Sequence, residues 1–389
     1  MRKNPIAGNK RRTIGAMRNP SKRLCDCLRD WAFLALIVVF GGMAKGNAVS
    51  PFLFLFENTL KLSFYTAESG RYTLSLLPEG QTAWQTFVES EATHTHTFAW
   101  TDWKPDQEVA FRLTHLSESA NGRFHTPRVA LPVRALLYGD SRWGHAVHQS
   151  ILSLAQTLEF DFFINLGDVV NTPDDRSEWA MFTESVRAVS GERPYQLVLG
   201  NHDLEIPEAE KTIPGYPVEG YYTFVLGKTR WIVLNTNEQL SKSTDQGRFL
   251  LSELQKTKAN REIPILITHH PIFSAGPHGE ENVVKRLREF LLPYIREYRI
   301  PLVISGHDHA YQKIIVEDTL YLITAGGGAA CYPQTYEPEG LVCYYPVHHC
   351  VLLSVEEQGI QGIAYDTDRE VIDAFYFPHT ALDPISPNH

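Results

Sequence analysis

The chain has 389 residues, 43% hydrophobic and 21% charged, a globular balance that excludes a mostly disordered, collagenous or coiled-coil protein and suggests two or three domains. A net charge of −9 excludes the basic surface of a general nucleic-acid binder, and five cysteines are too few for a disulfide scaffold. The charge is uneven: residues 1–48 carry ten Lys/Arg against two acids, leaving −17 on the rest, a body that repels polyanions unless it holds cations.

In chain order, the first element reads as an address. Trp31 to Met43 (WAFLALIVVFGGM) is too short to cross a bilayer comfortably, follows a basic stretch, and is followed by Gly46 and Ala48 with the spacing of a signal-peptidase site. This order predicts a signal peptide over 1–48, with an uncleaved N-terminal anchor as the alternative. The expected localisation is therefore export, periplasmic or secreted, with membrane contact only through that anchor. Of the cysteines further along, Cys331 and Cys343 bracket a loop and suit a disulfide in an oxidising compartment, whereas Cys350 opens an apolar run and reads as a buried thiol.

Residues 49–130 read as an all-β unit. Leu60–Tyr65, Arg71–Leu77, Thr95–Trp100 and Glu108–His115 alternate, with turn signals at Ser69-Gly70, Pro78-Glu79-Gly80 and Lys104-Pro105-Asp106. The spacing predicts a β-sandwich, and WTDWKPDQEVAFRLTHL followed by GRFHTP resembles the late strands of a fibronectin type III-like domain.

From residue 131 to 389 the pattern changes. RALLY, FDFFINL, YQLVL, RWIVLN, IPILIT and PLVIS are continuous apolar runs, as expected of strands buried on both faces, and each ends in a polar or glycine turn. Helices are predicted between them over Val147–Leu158, Ser177–Val189, Thr244–Lys256 (capped by Ser243 or Thr244) and Glu281–Tyr298. Four further strands close the chain (LYLITAGG, HCVLLSV, GIQGIAYD, VIDAFYF). The expected class is α/β, two packed mixed sheets flanked by helices, with ligands beyond the carboxyl ends of the strands.

The residues that end those strands carry the chemistry. Asp140, Asp168, Asn201, His269, His307 and His309 are carboxylate, amide and imidazole, the donors that borderline metals accept. One polar residue at a strand end is ordinarily a turn former, but five strand ends with ligand types meet at one rim. As strings they are GDSRWG (139–144), GDVVN (167–171), GNHD (200–203), THHP (268–271) and GHDH (306–309).

In this order the set resembles the calcineurin-like metallophosphoesterase superfamily, including the purple acid phosphatases, over roughly residues 134–327. The resemblance implies a two-metal site of Fe, Mn or Zn and a metal-dependent phosphoric ester hydrolase. Asp168 would bridge; Asp140 and His309 would hold the first metal; Asn201, His269 and His307 would hold the second. His270 reads equally as a polar rim residue. Two cations roughly 3.5–4 Å apart need a shared carboxylate and supply hydroxide for in-line attack on phosphorus. His202 is expected to protonate the leaving group, with Asp203 orienting its ring.

The sequence departs from the family twice. Arg142 stands where most members place a histidine, and Asn171 where the purple acid phosphatases place a metal-binding tyrosine, so no tyrosinate–iron colour is expected. His148 is the preferred substitute ligand, three residues from His145 on one helical face. Arg142 suits a phosphate clamp. Trp143, Tyr344 and Tyr345 would form a substrate wall, His348 and His349 read as structural, and Gly326-Gly327-Gly328 as a tight loop.

The function expected is hydrolysis of small phosphomonoesters. Its rivals are a phosphodiesterase acting on nucleotides or phospholipid head groups and a non-catalytic binding protein on the same fold. No nucleic-acid polymer is expected as a partner, and the oligomeric state is open.

Overall fold

The structure is a computed structural model that describes residues 51–203 and 216–380. These lie within the unit Phe40–His389; the other unit, Met1–Val39, and the expected signal segment fall outside the described residues. No helix among the described residues is long and apolar enough to cross a membrane.

Alternation builds the first part of the chain. Strands β1 (Phe52–Phe56), β2 (Thr59–Gly70) and β5 (Thr93–Trp100) form one antiparallel sheet; β3 (Thr73–Pro78), β4 (Gln85–Val88), β6 (Glu108–His115) and β7 (Glu118–His125) form another, in the order β4-β3-β6-β7. Leu74 and Leu76 of β3 and Val109, Phe111 and Leu113 of β6 share one core with Leu60, Leu62, Phe98 and Trp100 of the first sheet. Strand β2 runs through Ser69-Gly70, where a turn was expected, taking up a register irregularity between Tyr65 and Gly70. Strand β1 (FLFLF) does not alternate because it is covered on both sides. Leu55 N–H donates to Gln196 Oε1 (2.8 Å), Gln196 Nε2 donates back to Leu55 O (2.9 Å), and Phe54 packs on Tyr222 at 4.9 Å. This strand fastens the β-unit to the larger, mixed-sheet part of the chain.

Two mixed sheets make up the remainder. In the six-stranded sheet, β8 (Val133–Tyr138), β9 (Phe162–Asn165) and β10 (Tyr195–Leu197) run parallel. Strands β18 (His349–Val355), β19 (Gly359–Asp366) and β20 (Val371–Pro378) extend it antiparallel on the other side of β8. The seven-stranded sheet has the order β11-β12-β13-β14-β16-β15-β17. Its parallel core is β12 (Thr229–Val233), β13 (Ile263–Ile267), β14 (Leu302–Ser305) and β16 (Thr319–Thr324). Strands β11 (Tyr222–Leu226) and β17 (Leu341–Tyr345) are its edges, with β15 (Tyr311–Val316) paired between β16 and β17.

Helices α1 (His145–Ala155) and α2 (Arg176–Ser190) pack Ile151, Leu152, Phe182 and Val186 into the core shared by both sheets, which also takes Ile263, Ile265 and Ile267 of β13. Leu266, pointing the other way, joins Leu250 and Leu254 of α3 (Asp245–Asn260) and Leu287, Leu291 and Ile295 of α4 (Asn282–Glu297). Thr244 caps α3, its hydroxyl accepting from Gly247 N–H. Two mixed sheets flanked by helices are thus the architecture expected.

Candidate metal centre

Parallel strands deliver their carboxyl ends to one rim. From the first sheet, β8 leads to Asp140, β9 to Asp168 and β10 to Asn201; from the second, β13 leads to His269 and β14 to His307 and His309. The loops interlock: Asp140 N–H donates to Gly167 O (2.8 Å) and His307 N–H to Asp140 Oδ2 (3.1 Å). Asp140, Asp168 and His307 sit in the left-handed region (φ 59°, 52° and 71°), the strain expected where a fold aims side chains at a function. A Cβ on Gly200 would strike Asp168 Oδ1, so only glycine fits there. Gly327 and Gly328 press on the backbone at Gly139 and Ser141, which makes the triple glycine a buttress for the Asp140 loop.

Three clusters of ligand-type side chains form among the described residues, the ligand atoms of each within 4.8 Å of one another: Asp168, His269 and His307, and Asp140, Asp168 and His309, which share Asp168, and His278, Glu281 and His307 beside them. Asn201 Oδ1 joins the first group, 3.1 Å from His269 Nε2. His269 Nδ1–H donates to Leu166 O (2.7 Å), which leaves Nε2 as a bare lone pair facing Asn201 Oδ1 and, at 3.5 Å, Asp168 Oδ1. Asn201 Oδ1, Asp168 Oδ1 and His269 Nε2, with His307 Nδ1 3.3 Å from the last, converge as a set of donor atoms that fits a cation. Asp140 Oδ1, buried, points the same way, 3.4 Å from His309 Nε2.

Burial, with His269, His270 and His278 adding like charge, holds His307 well below its ordinary pKa, so it is the neutral ligand form. Burial also opposes charge on His309, but the hydrogen bond and charge of Asp140 outweigh it and raise the value: here a proton competes with a cation.

Three expectations need correction. Asp203 does not orient His202. Its carboxylate is fully buried and accepts the backbone N–H groups of Asp168 (2.7 Å), Val169 (2.9 Å), Val170 (3.3 Å) and Gly200 (2.8 Å), tying the Asp168 and Asn201 loops together. Burial, then the charge of Asp168, pushes this carboxyl up to about 7 against those donors. The His202 ring is instead held by Asn171 O, which accepts from Nδ1–H at 2.9 Å, while its Nε2 accepts from Arg142 Nη1.

His148 does not reach the metal donors. Its face, shared with His145, looks at α2 and the core: Nε2 meets Tyr138 Oη (2.9 Å), the ring stacks on Phe182 (6.0 Å), and His145 Nδ1 lies 3.3 Å from Ser185 Oγ. Burial lowers the His148 pKa to about 3. A folded value below the unfolded one means stability present above about pH 6.5 and lost as pH falls toward 3, at about 1.4 kcal/mol per unit. In urea unfolding at pH 7.5 and 5, wild type is expected to lose about 2 kcal/mol more than His148→Gln. Parallel losses would contradict a neutral ring.

The three cysteines among the described residues are free rather than bridged. Cys331 Sγ lies 3.8 Å from His348 Nδ1, and Cys343 Sγ 4.0 Å from Asp373 Oδ2 across the sheets. His349 is buried, its Nδ1–H donating to Val347 O, and His270 Nδ1 pairs with Thr236 Oγ1 at 2.8 Å. Trp143 is 76% exposed and therefore available to a substrate.

Two residues escaped the sequence reading, His278 and Glu281. They sit in the loop before α4, with no strand leading to them. Glu281 Oε1 takes His278 Nδ1–H (2.8 Å), and Oε2 lies 3.6 Å from His307 Nε2, a carboxylate backing a ligand imidazole. Tyr332 was also missed; its ring stacks on His309 at 4.2 Å and meets His278 edge-on.

Asp140, Asp168, Asn201, His269, His307 and His309, all of metal-ligand type, meet at the rim of two parallel strand groups, the arrangement a metal-dependent phosphoric ester hydrolase uses. Residues 133–311 match the family model for calcineurin-like phosphoesterases. The chain is 26% identical to purple acid phosphatase 7 of Arabidopsis thaliana over 278 residues, 61% of this chain and 83% of that one. It is 23% identical to purple acid phosphatase 4 of the same plant over 306 residues, 65% and 89% of the two chains. The purple acid phosphatase from yellow lupin (Lupinus luteus) seeds shares the fold, with a TM-score of 0.74, 15% identity and coverage of 85% and 74%. Over residues 133–311 the chain is thus similar to the calcineurin-like phosphoesterases, and over about three fifths of its length to the purple acid phosphatases.

Proposed function

We propose that the protein is an exported phosphatase with a two-ion centre that hydrolyses small phosphomonoesters. The carrying observation is that Asp168 belongs to both donor groups, the shared carboxylate that two neighbouring cations need. Asp168, Asn201, His269 and His307 would hold one ion; Asp140, Asp168 and His309 the other. Carboxylate, amide and imidazole donors suit Fe, Mn or Zn. Bound there, such ions lower the pKa of water to about 7 and neutralise charge on phosphoryl oxygens.

The chain's own residues do the rest. Arg142 presents a fork that matches phosphate oxygens. His278, fixed by Glu281, lies at the rim against His307 and Tyr332. His202 Nε2 holds a lone pair turned to Arg142, so it can take up a proton and pass it to a leaving group only after Arg142 releases that atom; clamp and acid act in sequence. Export rests on the order of basic, apolar and small residues in 1–48.

The test is equilibrium dialysis against excess Mn²⁺ or Zn²⁺ with elemental analysis, followed by assay on a panel of monoesters and diesters. About two ions per chain and faster monoester turnover are expected. Faster diester turnover would favour the phosphodiesterase reading, and a folded protein that takes up no ion and is inert on every ester overturns the proposal.

A further inference from the structure

One end of the centre already contains a cation. Arg142 Nε lies 3.6 Å from Asp168 Oδ2 and Nη2 lies 3.5 Å from His309 Nε2, while Nη1 meets His202 Nε2 and, at 3.4 Å, Asn171 Oδ1. The side chain is only 10% exposed, and Nε is buried without a hydrogen-bond partner. Asp168 and His309 are two of the three donors at this end, and the third, Asp140, adjoins His309. The other end differs in charge: the side chains against His269 and His307 are Asn201, His270, His278 and the Glu281 carboxylate.

We propose that the two metal positions fill in order and with unequal affinity: the Asp168–Asn201–His269–His307 end first and tightly, the Asp140–Asp168–His309 end second and weakly, with Arg142 as the resident cation that the second ion must displace. This rests on the two-ion reading above. A guanidinium keeps its charge at any pH a protein survives, so it cannot yield by losing a proton; it has to move. The indole face of Trp143, 5.7 Å from the guanidinium carbon and open to solvent, is one place for it to go. A phosphate anion is the other, and the shift frees His202 Nε2. Phosphate and the second ion should therefore each strengthen binding of the other, because both draw on the same displacement.

The experiment is titration calorimetry of the chelator-stripped full chain with Mn²⁺, with and without inorganic phosphate. Wild type is expected to bind two ions in two steps, the second weaker by roughly a hundredfold, the scale of one like charge at contact distance in a partly screened site. Arg142→Gln should bring the steps within about tenfold of each other. Phosphate should tighten the weak step in wild type by more than in Arg142→Gln, where only the direct attraction between phosphate and ion is left. Asp140→Asn should abolish the weak step alone, and Asn201→Ala should weaken the tight one.

Two equal steps in wild type, or an unchanged gap in an Arg142→Gln protein with wild-type thermal stability, overturns the inference while leaving the two-ion reading in place. If Arg142→Gln does not fold, Asp140→Asn decides, since loss of the tight step there also overturns it. A wild-type chain that binds no Mn²⁺ removes the reading itself.

Discussion

Asp168→Asn is expected to lower kcat/KM on an aryl phosphate by at least about 10³-fold, more than the 10²–10³ typical of losing a single transition-state donor, because it disables both ion positions. The substitution isolates charge from shape. Asparagine fills the same buried space, and its carbonyl can still accept from His202 N–H as Asp168 Oδ1 does at 2.9 Å. What disappears is the anion that faces His269 on one side and Arg142 on the other. The ion-free variant should therefore melt no lower than wild type, since Asp168 also repels the buried Asp203 carboxylate. The rise in Tm that Mn²⁺ gives wild type should vanish, because a ligand stabilises only the state it binds. Differential scanning fluorimetry with and without the ion, beside steady-state kinetics, reads all three effects. Activity within tenfold of wild type would mean that Asp168 bridges nothing.

The rim was legible in sequence because two independent signals coincide there. Apolar runs such as FDFFINL and IPILIT mark strands buried on both faces, and each hands a ligand-type residue to the turn after it. The apolar face of α4 was equally plain, and Val284, Leu287, Leu291 and Ile295 are all buried. Periodicity says which residues share a face, not what that face looks at. His145 and His148 do lie together, but toward α2, so the expected ligand is a core residue. Spacing likewise places Asp203 beside His202 without showing that its carboxylate turns back to backbone N–H groups of a loop more than thirty residues earlier in the chain. His278 and Glu281 had no preceding strand to flag them. Strand β1 had no alternation to show, because its second covering comes from Gln196, 141 residues on.

The buried Asp203 carboxylate yields the second large effect. Asp203→Ala leaves the N–H groups of Asp168, Val169, Val170 and Gly200 without their acceptor at a fully buried position. Each orphaned buried donor costs about 1–3 kcal/mol, and even with partial relaxation the loss should reach about 4 kcal/mol, a large share of a domain's stability. Asp203→Asn would be gentler, since one oxygen still serves half the donors while the amide nitrogen meets the others head-on. In both variants the Asp168 and Asn201 loops lose their common anchor, and a misplacement of about 1 Å at reacting groups can cost about 10²-fold in rate. Asp203→Asn should accordingly lose stability, ion affinity and activity together, measured by urea unfolding, Mn²⁺ titration and kinetics. Had the carboxylate served only to charge His202, the amide would slow turnover and leave unfolding and ion binding untouched. The contact from His202 Nδ1 to Asn171 O leaves no such task for Asp203, so that pattern would contradict the structure at its best-connected side chain.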